Sequence, residues 1–380
     1  MRRGALAFLL VLGSQPAAPQ GAVTGLTAAP ELARVYNAIF DARFADVPAL
    51  LTQACGPAPR EACQVLDAVG LWWQIQLDPF NTTRDAGFQS RVEAAIAATE
   101  AWTAREPERA EAWFYLGGAY GARVQWRVLR GARLAAARDG TRIRDALERA
   151  SALDPSMADA YFGIGLYRYY AAAAPAALRM LRWLLLLPGG DRALGLEQMG
   201  RARSSGLLMR SEADYQLHVL YLWYERQPGP ALDLLAGLIE RHPRNPHFRQ
   251  AAADLHDVYL HDLTASLRSW EALLDAARAG RVAEPEMAET AARLGIARQL
   301  DRLSRSEGAL EHLRAVIASR PGAPFGAVSR AHLQFGDALD RLGRRDEAAT
   351  AYRAAIAETG ARDPLGIAAR ARTALRAIER

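Results

Sequence analysis

The chain has 380 residues, too many for one ordinary core, so either two domains or one elongated array is expected. Hydrophobic residues make up 51% and charged residues 23%, which excludes a disordered chain, and two cysteines exclude both a disulfide-stapled mini-domain and a multi-cysteine zinc protein. All 47 basic residues are Arg, against 42 acids, for a formal charge of +5. Arg and acid interleave along the chain, whereas a nucleic-acid binder gathers its basic residues on one face, so no nucleic-acid partner is expected. Ala, Leu, Arg and Glu abound, which favours helix.

Arg2-Arg3, then the apolar stretch Ala5 to Leu12, then small residues from Gly13 to Ala22, follow the order of a secretory signal peptide. The apolar run is too short to span a bilayer. Residues 1–22 are therefore expected to be an export signal, with the mature chain in the periplasm or cell envelope. Cys55 and Cys63 bracket a turn-rich loop, Gly-Pro-Ala-Pro-Arg-Glu-Ala. In an oxidising compartment they could pair; otherwise they are two buried thiols.

A periodic pattern begins at Leu66-x-x-Val69-Gly70-x-x-Trp73, with Ala95, Thr99, Trp102 and Pro107 behind it. It is clearest at Trp113-x-x-Leu116-Gly117-x-x-Tyr120, followed by Leu147, Ala150 and Pro155. The large residues of that run share one helix face, and the Gly between them lets a second helix approach closely. Tyr161-x-x-Ile164-Gly165 repeats it, with Met199 and Ala202. Tyr215-x-x-His218-Val219-x-x-Leu222 leads to Ala231, Leu235, Leu238 and Pro243. Phe248 opens a degenerate unit with Ala265, Ser269 and Ala272; Leu294-Gly295 opens another, closing at Pro321. Phe335-Gly336-x-x-Leu339 leads to Ala348, Tyr352 and Ala355. Pro364 to Glu379 reads as one amphipathic helix, with Leu365, Ala368, Ala369, Leu375 and Ile378 on its apolar side, suited to cap an open stack end.

With its W-x-x-L-G-x-x-Y first helix and later Pro, the chain resembles the tetratricopeptide-repeat family from about Cys63 to Gly360. The resemblance implies an all-α solenoid of antiparallel helix hairpins, a superhelix with extended helices in its first units. The expected layout is an N-terminal helical region over 23–107, a repeat array over 108–362 and a capping helix over 363–380. It also implies that first helices line a concave groove and bind a protein or peptide partner.

Family groove positions fall on Phe114, then Phe162, Leu166, Tyr169 and Tyr170, then Gln216, Leu220, Trp223 and Tyr224. In the last unit they fall on Leu333, Asp337, Asp340 and Arg341. The middle aromatics are either anchors for a ligand or core between repeats. Arg123, Arg127 and Arg130 share one helix face, as either a basic docking face or a solvated one.

Between Tyr169 and Pro188 the sequence is strongly apolar. Pro175, Arg179 and Arg182 interrupt it, which argues for a buried hairpin or a peripheral membrane contact rather than a span. No H-E-x-x-H frame, P-loop or G-x-S-x-G elbow occurs, and His256-Asp257-x-x-x-His261-Asp262 lacks a third ligand. Neither catalysis nor a cofactor nor a metal is expected. The reading is an exported adaptor, with a glycan-acting helical-repeat enzyme or a membrane-surface-associated envelope assembly factor as the alternative. The enzyme needs two facing carboxylates on a cleft.

Overall fold

The computed structural model describes residues 25–173 and 189–379. The expected export signal lies outside them, as does most of the apolar segment before Pro188. Among the described residues there are seventeen helices and no strand, and they form an all-α solenoid of helix hairpins.

Two helices precede the repeats: α1 (Ala29–Phe40) and α2 (Val47–Ala54). Seven hairpins follow: α3 (Arg60–Leu77) with α4 (Asp85–Arg105), α5 (Ala110–Leu129) with α6 (Arg133–Leu153), and α7 (Ala160–Ala173) with α8 (Arg192–Ser205). Then come α9 (Arg210–Trp223) with α10 (Pro228–Arg241), α11 (Pro246–Val258) with α12 (Leu263–Arg278), α13 (Pro285–Arg302) with α14 (Ser306–Ser319), and α15 (Ala327–Arg341) with α16 (Arg345–Ala357). The last helix is α17 (Ile367–Ile378).

The early helices are long: α5 and α6 have 20 and 21 residues, against 14 and 13 for α10 and α11. Motif glycines set the spacing within hairpins. A Cβ on Gly117 would stand 2.6 Å from Leu147 of the partner helix, and one on Gly165 would stand 2.6 Å from the Gly195 carbonyl oxygen. Only a residue without a side chain allows these approaches.

One buried core runs from Leu32 to Leu255 and crosses position 107 without a break; a second runs from Ala253 to Ala371. The first helices of successive units touch one another (α3 on α5, α13 on α15), so they form the inner layer.

The stack also closes on itself. Trp73 of α3 lies against Tyr215 of α9 at 5.1 Å and Phe248 of α11 at 5.9 Å. The Asp78 carboxylate accepts a hydrogen bond from the Phe325 amide at 3.0 Å, joining the first hairpin turn to the start of the last unit. The Arg362 guanidinium donates to the Thr82 hydroxyl at 2.7 Å across the same junction.

The capping helix starts at Ile367 rather than Pro364, because Gly366 takes a left-handed φ of 65° and Asp363 caps the new start through the Ile367 and Ala368 amides. Ile367, Ala368 and Ala371 are buried, while Ala369 faces outward.

Candidate functional site

The inner surface divides into a filled half and an open half. Helix α1 fills the first. Its segment reaches the first helices of four units: the Thr27 amide donates to Glu111 of α5 at 2.7 Å, and the Tyr36 hydroxyl donates to Glu212 of α9 at 3.2 Å. The Phe40 ring lies 4.4 Å from Trp73 of α3 and 6.2 Å from Phe248 of α11. The Phe40 carbonyl accepts from the Asn245 side chain at 2.8 Å. Leu32, Val35, Ile39 and Phe40 are buried there, so this stretch of the concave face is occupied by the chain's own first helix.

The open half is a cavity of about 460 Å³ between α13, α15 and α17, with Phe80 of the first hairpin turn at its rim. Arg298, Arg302, Arg330, Arg341 and Arg370 line it, with Asp301 and Asp337, and Leu333, Leu365 and Ile367 supply apolar wall. Four of the five arginines are engaged. Arg298 pairs with Asp254 at 2.7 Å, Arg302 with Asp257, Arg341 with Asp301 at 3.0 Å, and Arg370 approaches Asp337 at 4.0 Å.

Arg330 has no ion pair among the described residues, and burial, aided by Arg298, pushes its guanidinium down from its ordinary value. The Gln334 Oε1 atom is buried without a hydrogen-bond partner. A cationic fork and an unsatisfied amide therefore face the same cavity. Burial pushes the Asp337 carboxyl up, against the hydrogen bond from the Tyr352 hydroxyl at 2.9 Å. Asp301 accepts from Ser306 at 2.7 Å.

The residues expected from sequence fall out as follows. Phe114 is buried in the core shared with α1, and Tyr169 is fully buried with Met199, Leu217 and Leu220, so neither forms a groove wall. Phe162 and Leu166 are half-buried against that same cluster. Tyr170, Trp223 and Tyr224 are exposed, but at the end of their hairpins. Tyr224 stacks edge-on to Tyr169 and Tyr170 at 5.8 and 5.5 Å. In the last unit, Leu333, Asp337 and Arg341 line the open cavity. Arg330, Gln334 and Phe80 were not singled out from sequence; Arg330 precedes the Phe335-Gly336 motif by five residues and carried no pattern of its own.

The basic face is corrected. Arg123 is buried and forked onto Asp139 at 2.8 Å and Glu93 at 2.7 Å. Arg127 shares Asp139 at 2.6 Å, and Arg130 grips Asp85 at 2.7 Å. Acids from α4 and α6 neutralise the three in place, leaving neither a docking face nor a solvated one.

Cys55 and Cys63 are joined as a disulfide. Asp257 is buried against Gln299, Arg298 and Arg302, while His261 stands beyond the helix end, so the histidine cluster is dispersed. Among the described residues no group of three metal-ligating side chains occurs, and no helix is long and apolar enough to cross a membrane.

No known family model matches the chain, and no curated protein matches it in sequence. Solved structures are similar in shape at low identity. Yeast Tom70 is 12% identical over 84% of this chain and 64% of its own, with a TM-score of 0.40. The Cut9-Hcn1 hetero-tetramer of the APC/C gives 12% identity over 92% of this chain and 55% of that one, with a TM-score of 0.48. A Rap protein complexed with competence and sporulation factor gives 11% over 93% and 97%, with a TM-score of 0.45. The chain thus spans less than two thirds of the length of the first two.

Proposed function

We propose that the protein is an exported, non-catalytic scaffold that binds a protein partner by taking a short acidic segment into the open concave cavity. The observation that carries this is the Arg330 guanidinium, without an ion pair among the described residues, facing a cavity of about 460 Å³; the Gln334 Oε1 beside it lacks a donor, which a backbone N–H of the same segment would supply. Asp254 and Asp78 act on the Arg330 guanidinium only from a distance, and an arriving carboxylate would give it the direct, charge-assisted hydrogen bonds it lacks. The apolar wall of Leu333, Leu365 and Ile367, with Phe80 at the rim, suits the non-polar part of the same segment. Export is supported by the Arg2-Arg3 start with its apolar run, and the Cys55–Cys63 disulfide fits an oxidising compartment.

The test is capture from envelope extract with the wild-type protein and with Arg330→Glu, followed by reconstitution with the purified partner. Reversing one buried charge contact is expected to weaken binding by about tenfold or more. Equal retention by both proteins would place recognition elsewhere.

The enzyme alternative has one observation in its favour: two carboxylates, Asp301 and Asp337, line the same cavity. Each already accepts a hydrogen bond from its own second helix, through Ser306 and Tyr352, which supports a positioning role. Glycan turnover that is lost in Asp337→Asn, with no partner recovered, would favour the enzyme.

A further inference from the structure

A second cavity, of about 440 Å³, shares no lining residue with the first. It lies where the turn after α10, the start of α11 and the end of α12 meet, and Pro243, Arg249, Ala272, Asp275, Ala276 and Arg281 line it. Helix ends build it. Asn245 caps α11 through the His247 amide at 3.0 Å, and Arg249 stands in the turn that follows. At the end of α12, Gly280 takes a left-handed φ of 64°, and the Arg281 amide donates back to the Ala276 carbonyl at 2.9 Å. This left-handed helix stop returns Arg281 to the last turn of α12. The Ala283 amide donates to the Arg244 carbonyl at 2.7 Å and ties the two turns together.

Three charged side chains line this cavity: the guanidiniums of Arg249 and Arg281 and the carboxylate of Asp275. Among the described residues none of the three has an ion pair or a side-chain hydrogen bond. The Arg249 Nε atom is buried and lacks a partner. Burial, aided by the Arg281 charge, pushes the Arg249 guanidinium down from its ordinary value, so the two cations act on one another across the same space. Asp275 is within ion-pair reach of neither. Glu240, Arg244, Glu271 and Glu284 belong to the same segments but do not line the cavity, and Arg278 is paired with Glu289 at 3.4 Å. With two cations against one anion, the lining is positive.

Guanidiniums without a partner favour an oxyanion, and their planar fork matches carboxylate, sulfate and phosphate alike. Asp275 decides among these. An ionised carboxylate only accepts hydrogen bonds, so it repels sulfate and carboxylate, which also only accept. It suits phosphate, which keeps a P–OH near neutral pH. We propose that this cavity binds a phosphate group that retains a proton: its bare oxygens accept from Arg249 and Arg281, and its P–OH donates to Asp275. The Arg249 Nε–H thereby gains the acceptor it lacks. Inorganic phosphate and a phosphomonoester share this chemistry, the ester losing its last proton with a pKa of about 6. A phosphodiester has no such proton and is excluded. The concave cavity stays free for a partner.

The test is isothermal titration calorimetry of the purified protein at about pH 6.5, where both phosphate forms keep a protonated fraction. Sodium phosphate, glycerol 3-phosphate, dimethyl phosphate and sodium sulfate are the probes, and thermal unfolding in the same solutions is the second readout. Phosphate or glycerol 3-phosphate is expected to bind about tenfold or more tightly than sulfate and dimethyl phosphate. Whichever of the two binds more tightly tells the source, free phosphate or the phosphate of a larger molecule. Binding of neither, or sulfate binding as tightly as phosphate, overturns the proposal.

Arg249→Gln with Arg281→Gln is expected to weaken phosphate binding by about tenfold or more. Helicity and thermal unfolding without phosphate are expected to stay unchanged, since neither side chain has a partner to lose. Asp275→Asn is expected to weaken phosphate binding and tighten sulfate binding, which erases the preference between them. If this variant binds both anions more tightly and keeps the preference, Asp275 only repels, and the assigned proton is wrong. Phosphate binding that survives in the Arg249/Arg281 double variant but is lost in Arg330→Glu belongs to the concave cavity and overturns the site.

Discussion

Asp139 is the most constrained carboxylate of the second unit: it is fully buried and forked between Arg123 and Arg127. Burial alone would lower the Arg123 guanidinium, but the hydrogen bonds to Asp139 and Glu93 outweigh it and hold it above its ordinary value. Breaking a buried pair leaves an uncompensated charge, at a cost of about 3–5 kcal/mol. Arg123→Leu is expected near the lower end of that range, because Arg127 still reaches Asp139. Arg123→Leu with Asp139→Leu is expected to cost less than Arg123→Leu alone, as measured by urea unfolding. Equal losses would mean that the pair does not act as a unit.

At this scale the sequence is only half informative. Spacing placed Arg123, Arg127 and Arg130 on one face, and there they are. What neutralises them comes from other helices: Asp85 is 45 residues from Arg130, and no local pattern joins the two. Arg330 was missed for the converse reason, since its distinction is the lack of a partner, which only the folded neighbourhood reveals.

Among the elements, α1 behaves as an internal ligand. It carries no repeat motif, yet it lies across the inner layer with its apolar side buried and its polar atoms bonded to Glu111, Glu212 and Asn245. Phe40 is its anchor, fully buried among Trp73, His242 and Phe248. Truncating so large a side chain in a core of fixed helices leaves a cavity, so Phe40→Ala is expected to cost about 3–5 kcal/mol by chemical denaturation. A loss under about 1 kcal/mol would show that α1 is only loosely attached.

The repeat helices themselves were legible because each motif Gly and aromatic reports on its own hairpin. The helix α1 was not, because its hydrogen-bond partners in the array lie 84 to 205 residues away. The aromatics at the ends of α7 and α9 were ambiguous for a local reason. Tyr169 and Tyr170 are adjacent, so one turns into the core and the other outward, and motif spacing cannot weigh two neighbouring rings against each other.

For the whole molecule, closure of the superhelix places three histidines in its interior. The His247 imidazole meets the Tyr215 hydroxyl at 3.0 Å beside Trp73, and His242 meets Ser211 at 2.7 Å beside Phe40. His218 bonds the Tyr215 carbonyl. Burial lowers all three to about 4, with Arg241 adding to the effect on His242. Between about 6.5 and about 4 the unfolded chain therefore binds protons that the folded chain refuses, and stability falls with pH. Each such histidine contributes about 1.4 kcal/mol per pH unit across that window.

Glu212, raised by burial in the same region, has the opposite sign: the folded state takes its proton first, which offsets part of that loss. The net expectation is a protein stable at pH 7 that loses stability steeply on approach to pH 5, at the junction of α1, α3, α9 and α11. Unfolding free energies at pH 7, 6 and 5 measure the slope, and His247→Gln is expected to reduce it by about one histidine's share. A flat profile from pH 7 to 5 would mean that these imidazoles reach solvent, and that the first and fifth units do not close on one another as the Trp73–Phe248 contact requires.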